Sequence, residues 1–126
     1  MGKPFTLLIA DRNRHVREFL KREMMAAGYE VRLAKTGREV LQFAYHHDPL
    51  DLIILDPDLP GAEQLDILEK LQDRIPTLPV VIHAFPFEEG KKPPDALNTA
   101  SFVEKSGNSI EGLKKAVIDL LENSVP

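Results

Sequence analysis

The sequence predicts an α/β fold in which a five-stranded parallel sheet of strand order 2-1-3-4-5 carries helices on both faces. Two observations lead to this prediction. Short apolar runs alternate along the 126 residues with segments whose apolar residues recur at helical spacing. Three of the runs are almost entirely apolar, as expected of central strands covered on both faces, whereas the second alternates and therefore belongs at an edge. The length suits a single domain over residues 1–126.

The first half of the chain predicts two strand–helix units. FTLLIA (5–10) is the first strand, and Gly28 follows the next helical segment, where a helix C-terminus favours a residue that accepts positive φ. YEVRLA (29–34) is the alternating second strand. Thr36 and Glu39 then have the spacing of a capping box, which predicts the start of a second helix. The buried sides of the two helices are expected to consist of Val16, Phe19, Leu20, Met24 and Ala27 in the first, and Val40, Leu41, Phe43 and Ala44 in the second.

The second half continues the alternation. LIIL (52–55), PVVIHA (79–84) and SFVEK (101–105) are predicted as the third, fourth and fifth strands. The last helix is expected to begin at Ser109. The third helix is marked by leucines at helical spacing, namely Leu65, Leu68 and Leu71.

Composition excludes several classes of function. The net charge of −4 argues against a nucleic-acid surface, which needs clustered positive charge. The absence of cysteine excludes disulfides and thiolate chemistry. No apolar run is long enough to span a bilayer, and the first residues lack the cleavage pattern of a secretory signal, so we expect a cytoplasmic protein without a membrane partner.

Charged residues follow three of the predicted strands. Asp11 follows the first strand, Asp56 the third, and Lys105 ends the fifth. In a parallel sheet the carboxyl ends of all strands lie along one edge, and ligands bind where the strand order reverses. Any one of these residues alone would be an ordinary loop residue. Two carboxylates and a lysine at three such ends predict a common polar site.

The segments LLIADRNRHVREFL, DLIILDPDLPG and FVEKS, in this order and spacing, resemble the receiver domain of two-component response regulators. The likeness covers nearly the whole chain and implies a flavodoxin-like three-layer sandwich. It also implies that Asp56 accepts a phosphoryl group from a histidine kinase and that Lys105 contacts the phosphoryl oxygens. Magnesium would be held by the Asp11 and Asp56 carboxylates and by the backbone carbonyl of Asp58. Such a site suits phosphoryl transfer, which depends on positioning and on neutralising negative charge.

The resemblance also implies the partners. A sensor histidine kinase or a phosphotransfer protein would donate the phosphoryl group, and an output protein or domain would read the result by contact. Receivers also commonly form homodimers. A receiver of this kind is a signalling protein rather than an enzyme.

The chain departs from the family at the position after Asp11, where receivers normally have a second acid and this sequence has Arg12. Two interpretations follow. Arg12 either forms a forked ion pair with Asp56 or Asp11, which competes with magnesium, or points outward and leaves the site one acid short. With Arg12, the two carboxylates Asp11 and Asp56 are balanced by two cations. The Asp58 side chain would then be the remaining acid able to assist a metal through water.

Other departures concern the switch and the fourth helix. Ala84 stands where receivers have the hydroxyl residue that binds the phosphoryl group, although the switch aromatic is present as Phe102. Ser106 replaces the usual proline after Lys105. The segment 85–95, FPFEEGKKPPD, predicts that the fourth helix is short or replaced by a loop, because proline is excluded from helix interiors.

Two further hypotheses stand beside the phosphorylated receiver. A degenerate receiver would be a protein-interaction module that does not depend on phosphorylation. A flavodoxin-like cofactor binder would need a loop rich in glycine or hydroxyl residues after the first strand, and DRNRH (11–15) is not such a loop. His46, His47 and Asp48 favour a solvated helix end over a metal site, and His83 is expected to be a hydrogen-bonded core histidine.

Overall fold

The computed structural model describes residues 4–46, 49–61, 67–74, 76–85 and 100–122. Its sheet has five parallel strands in the order 2-1-3-4-5, which confirms the prediction. The strands are β1 (Thr6–Ala10), β2 (Glu30–Ala34), β3 (Leu52–Leu55), β4 (Val80–Ala84) and β5 (Ala100–Glu104). As expected from its alternating pattern, β2 lies at an edge, and its exposed residues alternate with more buried ones.

The described helices are α1 (Arg14–Ala26), α2 (Gly37–Ala44), α3 (Ile67–Gln72) and α4 (Ser109–Leu121). Phe19 and Ala27, which were expected on the buried side of α1, are exposed, but the predicted signals at the helix ends act as expected. Gly28 adopts a φ of +100° just beyond α1, and the Thr36 side chain accepts a hydrogen bond from the Glu39 N–H. In the part of the chain that the structure describes, no helix has the length and apolarity needed to cross a bilayer.

Two parts of the sequence prediction fall outside the described residues. Leu65, which was assigned to the third helix, precedes the described start of α3. The segment in which a short or missing fourth helix was expected also lies outside them, apart from Phe85.

Two apolar clusters confirm the three-layer sandwich, one on each face of the sheet. The first joins alternate residues of β1, β3 and β4, such as Leu8 and Ile53, to α2 and α3 through Val40 and Leu71. The second joins the opposite faces of the same strands to α1 and α4, and its buried members are Leu7, Ile9, Leu20, Met24, Leu52, Ile54, Val81, Leu113, Val117 and Leu121. Side chains of β1 and β3 therefore enter both clusters, which is why these strands are apolar at nearly every position.

Candidate functional site

The backbone of the sheet places the three predicted site residues at one edge. The Asp56 N–H donates to the carbonyl of Ala10 at 2.8 Å, so the chain leaves β3 while still bonded to the end of β1. The Lys105 N–H donates in the same way to the carbonyl of Ala84 at 2.7 Å. Asp11 follows Ala10 directly and hydrogen-bonds through its N–H to Ala34 of β2. All three residues are therefore held by the last rungs of the parallel ladder.

The side chains of these residues meet in a buried pocket. Asp11 and Asp56 are each only 1% exposed. The Lys105 Nζ lies 3.0 Å from Asp11 Oδ2 and 3.7 Å from Asp56 Oδ2, and its side chain is 10% exposed. Charges this deep are stable only when they are paired, so the lysine is what allows two carboxylates to lie side by side.

The other oxygen of each carboxylate is held by its own loop. Asp11 Oδ1 accepts the Asn13 N–H at 2.9 Å, and Asp56 Oδ1 accepts the Asp58 N–H at 2.9 Å. Both are hydrogen bonds from the backbone two residues further on, a pattern by which aspartate organises a tight turn. The two acids are thus fixed in orientation as well as in position.

The turn after Asp56 is anchored on its far side. Leu59 is buried and its N–H donates to the Asp56 carbonyl at 3.3 Å. Gly61 has a φ of +81°, a conformation that other residues rarely adopt. The Pro60 carbonyl accepts the N–H of Gly37, the first residue of α2, at 2.9 Å. The LPG sequence therefore joins the site to the start of a neighbouring helix.

Arg12 reaches into this pocket. Its N–H donates to Asp56 Oδ2 at 3.2 Å, and its Nε lies 3.6 Å from the same oxygen. Its Nη2 lies 3.9 Å from Asp58 Oδ2. Although the Arg12 side chain is 47% exposed, its guanidinium pairs with Asp56 and does not turn away from the site. Of the two interpretations left open by the sequence, the structure has the ion pair, with Asp58 as the second partner in place of Asp11.

Comparisons with known proteins agree with this geometry. The profile of the response regulator receiver domain family matches residues 7–116. The chain belongs to that family. A response regulator MprA from Mycolicibacterium vanbaalenii is 34% identical over 79 residues, which cover 63% of this chain and 34% of the relative. The chain thus matches about a third of the length of the curated relatives.

Solved structures resemble this receiver domain over nearly all of its length. A putative response regulator from Chloroflexus aurantiacus is 30% identical, with a TM-score of 0.77 and coverage of 95% of this chain and 99% of the other. The crystal structure of histidine kinase ThkA in complex with response regulator protein TrrA contains a chain that is 26% identical. Its TM-score is 0.78, and the match covers 93% of this receiver domain and 98% of that chain.

Sequence reasoning missed three contacts at the site of this receiver domain. The Arg17 Nη1 donates to the Asp11 carbonyl at 2.8 Å, and the Lys105 Nζ lies 5.5 Å from the centre of the Phe85 ring. Asn13 accepts the Val16 N–H through its side chain and so caps α1. Only the cap had a recognisable signal, since asparagine immediately before a helical segment is a common N-cap. The other two contacts depend on side-chain conformation.

One residue that departs from the family pattern also lies at this edge. Ala84 is buried at the end of β4 and supplies no hydroxyl. The preceding residue, His83, is buried as expected, with Nε2 3.1 Å from Ser109 Oγ. Burial lowers the pKa of His83, and the positive charge of Lys105 lowers it further. Phe102 lies in β5 and is partly exposed.

Receiver domains generally bind Mg²⁺ at this site, but the residues of this chain do not fit the ion in the arrangement described. Asp56 Oδ2 faces Lys105, the Arg12 guanidinium and an N–H, and Asp56 Oδ1 already accepts an N–H. Magnesium requires a near-octahedral set of oxygens at about 2.0–2.1 Å. Among the described residues, no cluster of three or more acidic or histidine side chains could hold a metal.

The sequence His46-His47-Asp48, which was considered as a metal site, is only partly described. His46 is exposed just beyond α2, whereas His47 and Asp48 lie outside the described residues.

Proposed function

We propose that this receiver domain acts in two-component signalling by accepting a phosphoryl group on Asp56 from a histidine kinase or a phosphotransfer protein. The proposal rests on one observation, the buried Asp56 carboxylate with the Lys105 ammonium 3.7 Å away. A carboxylate at the carboxyl edge of the sheet is a suitable nucleophile, and a cation beside it can neutralise the charge that spreads over the phosphoryl oxygens.

The transfer would form one bond to phosphorus and break another. A carboxylate oxygen of Asp56 attacks the phosphorus of a phosphohistidine, the new O–P bond forms, and the P–N bond breaks. The imidazole that leaves takes up a proton from water. Lys105 contacts the phosphoryl oxygens as a point charge. Asp11 has a positioning role, since its Oδ2 holds the Lys105 Nζ at 3.0 Å.

Support for the partners comes from the relatives. One structural neighbour is described as a histidine kinase in complex with a response regulator, and the curated relatives are response regulators about three times as long as the matched region. By analogy, this chain would receive phosphoryl groups in the cytoplasm as a domain over residues 1–126 and pass its state to an output protein or domain by contact. A homodimer is one form in which it could do so. This is a signalling role without turnover of a diffusible substrate.

The test is incubation with acetyl phosphate, with intact-mass spectrometry as the readout. Wild type should gain the mass of one phosphoryl group, and Asp56→Asn should not. Asp73→Asn, which alters an exposed carboxylate beyond α3, is the matched control and should behave as wild type. No mass gain in wild type, with either acetyl phosphate or a phosphorylated histidine kinase, would contradict the proposal.

A second candidate function is supported by the Arg12 ion pair. The guanidinium already lies beside Asp56 Oδ2, one of the two oxygens that could carry a phosphoryl group. Ala84 also lacks the hydroxyl that would bind that phosphoryl group. A receiver with both features would suit a protein-interaction module whose surface does not depend on phosphorylation. In that case partner binding, measured by calorimetry, should be the same for wild type and Asp56→Asn.

A further inference from the structure

Arg12 is held at the pocket by its backbone as well as by its side chain. Its N–H donates to Asp56 Oδ2 at 3.2 Å, and its Nε approaches the same atom at 3.6 Å. The residue also follows Asp11 directly, so the loop that positions Asp11 positions Arg12. The backbone of Arg12 is therefore fixed beside Asp56, and its guanidinium lies next to that carboxylate.

The guanidinium connects the two acids of the β3 loop. Its Nη2 lies 3.9 Å from Asp58 Oδ2, while its Nε lies near Asp56. Lys105 approaches the same Asp56 oxygen, Oδ2, and bridges it to Asp11. Two cations thus lie beside the three carboxylates. Arg12 is at the mouth of the pocket and Lys105 is in its depth.

The positive charge at the mouth is permanent. An arginine side chain remains protonated throughout the pH range in which proteins are folded, whereas a bound metal ion depends on its concentration in solution. A divalent ion entering between Asp56 and Asp58 would have to displace the guanidinium and would experience its repulsion at a distance of a few ångströms.

We infer that Arg12 takes the place of the divalent cation in this receiver, so that the pocket neither binds nor needs Mg²⁺. The inference rests on the proposed function for the role of Asp56, but it concerns metal binding, which is measured without any phosphoryl donor. The inference on metal binding and the proposed phosphorylation of Asp56 can therefore be contradicted independently of each other. If Asp56 is phosphorylated, the reaction with acetyl phosphate should proceed at the same rate in Mg²⁺ and in EDTA.

The experiment is a titration with Mn²⁺ as the probe, followed by electron paramagnetic resonance of the free ion, with Mg²⁺ competition to confirm the site. Wild type should show no saturable binding at millimolar concentrations. Arg12→Asp restores a second acid beside Asp11 and should bind Mn²⁺ at least about tenfold more tightly than wild type, because a repelling charge becomes an attracting one. Arg14→Asp makes the same charge change at an exposed position and should behave as wild type.

Arg12→Gln serves if the added acid prevents Arg12→Asp from folding, which far-UV circular dichroism will show. It removes the positive charge without adding an acid, and it should bind Mn²⁺ more weakly than a folded Arg12→Asp but more tightly than wild type. As a second readout, Mg²⁺ should raise the unfolding temperature of these variants and leave that of wild type unchanged. Saturable binding by wild type with backbone amide shifts at Asp56 and Asp58, or equal affinities in wild type and the Arg12 variants, would overturn the inference.

Discussion

Replacing Lys105 with methionine should destabilise the fold because it leaves two buried carboxylates without their shared cation. Asp11 and Asp56 are each 1% exposed, and both have an Oδ2 within 3.7 Å of the Lys105 Nζ. Removing one partner of a buried ion pair costs about 3–5 kcal/mol. Arg12 still faces Asp56, and its 47% exposure shows that solvent reaches the mouth of the pocket, so we expect about 2–4 kcal/mol.

Urea unfolding followed by far-UV circular dichroism measures this change, since the chain has no tryptophan for fluorescence. With a typical dependence of about 1–3 kcal/mol per molar urea, this loss should lower the midpoint by roughly 0.7–4 M. Lys115→Met, at an exposed position on α4, is the matched control and should change the midpoint little. A Lys105→Met variant as stable as wild type at neutral pH would refute the assignment of Lys105 as the charge that stabilises the pocket.

Three further predictions follow from local structure. Because burial holds the pKa of His83 below its ordinary 6.5, the unfolded chain binds a proton that the folded chain does not, and stability should fall as the pH drops through that value. His83→Gln should reduce this loss in urea titrations at several pH values; an unchanged pH dependence would exclude His83 as its source. Thr36→Ala should cost about 1 kcal/mol by removing the cap bond to Glu39, and an unchanged urea midpoint would show that the cap contributes nothing. Gly28→Ala should cost about 1–2 kcal/mol through its positive φ, in contrast to Gly107→Ala, where no unusual φ is present.

The elements and their order could be predicted from the sequence because the faces that an element buries determine the spacing of its apolar residues. A strand covered on both faces is apolar at nearly every position, as β1 and β3 are, and an edge strand alternates, as β2 does. Once the strand order is known, the carboxyl ends of β1, β3 and β5 lie along one edge, with β4 between β3 and β5, so topology places Asp11, Asp56 and Lys105 on the same edge. Their positions could therefore be predicted without side-chain information.

The side-chain conformations at the site could not be predicted in this way. Arg12 has several rotatable bonds and two directions open to it, and the choice depends on where the Asp58 carboxylate and the Asp56 loop lie in space. Phe85 and Arg17 join the site through distances that no sequence period encodes. The functional roles of Asp56 and Lys105, and the replacement of magnesium by Arg12, are predictions for the experiments above.

The hydrogen bond from Gly37 to the Pro60 carbonyl has a mechanical consequence. It joins the loop that follows Asp56 to the first turn of α2, which lies on the opposite side of the sheet from α1 and α4. A shift of that segment would either break this 2.9 Å hydrogen bond or draw the amino end of α2 along with it. The loop that follows Asp56 is thus connected to the helix layer on the face of the sheet opposite α1 and α4.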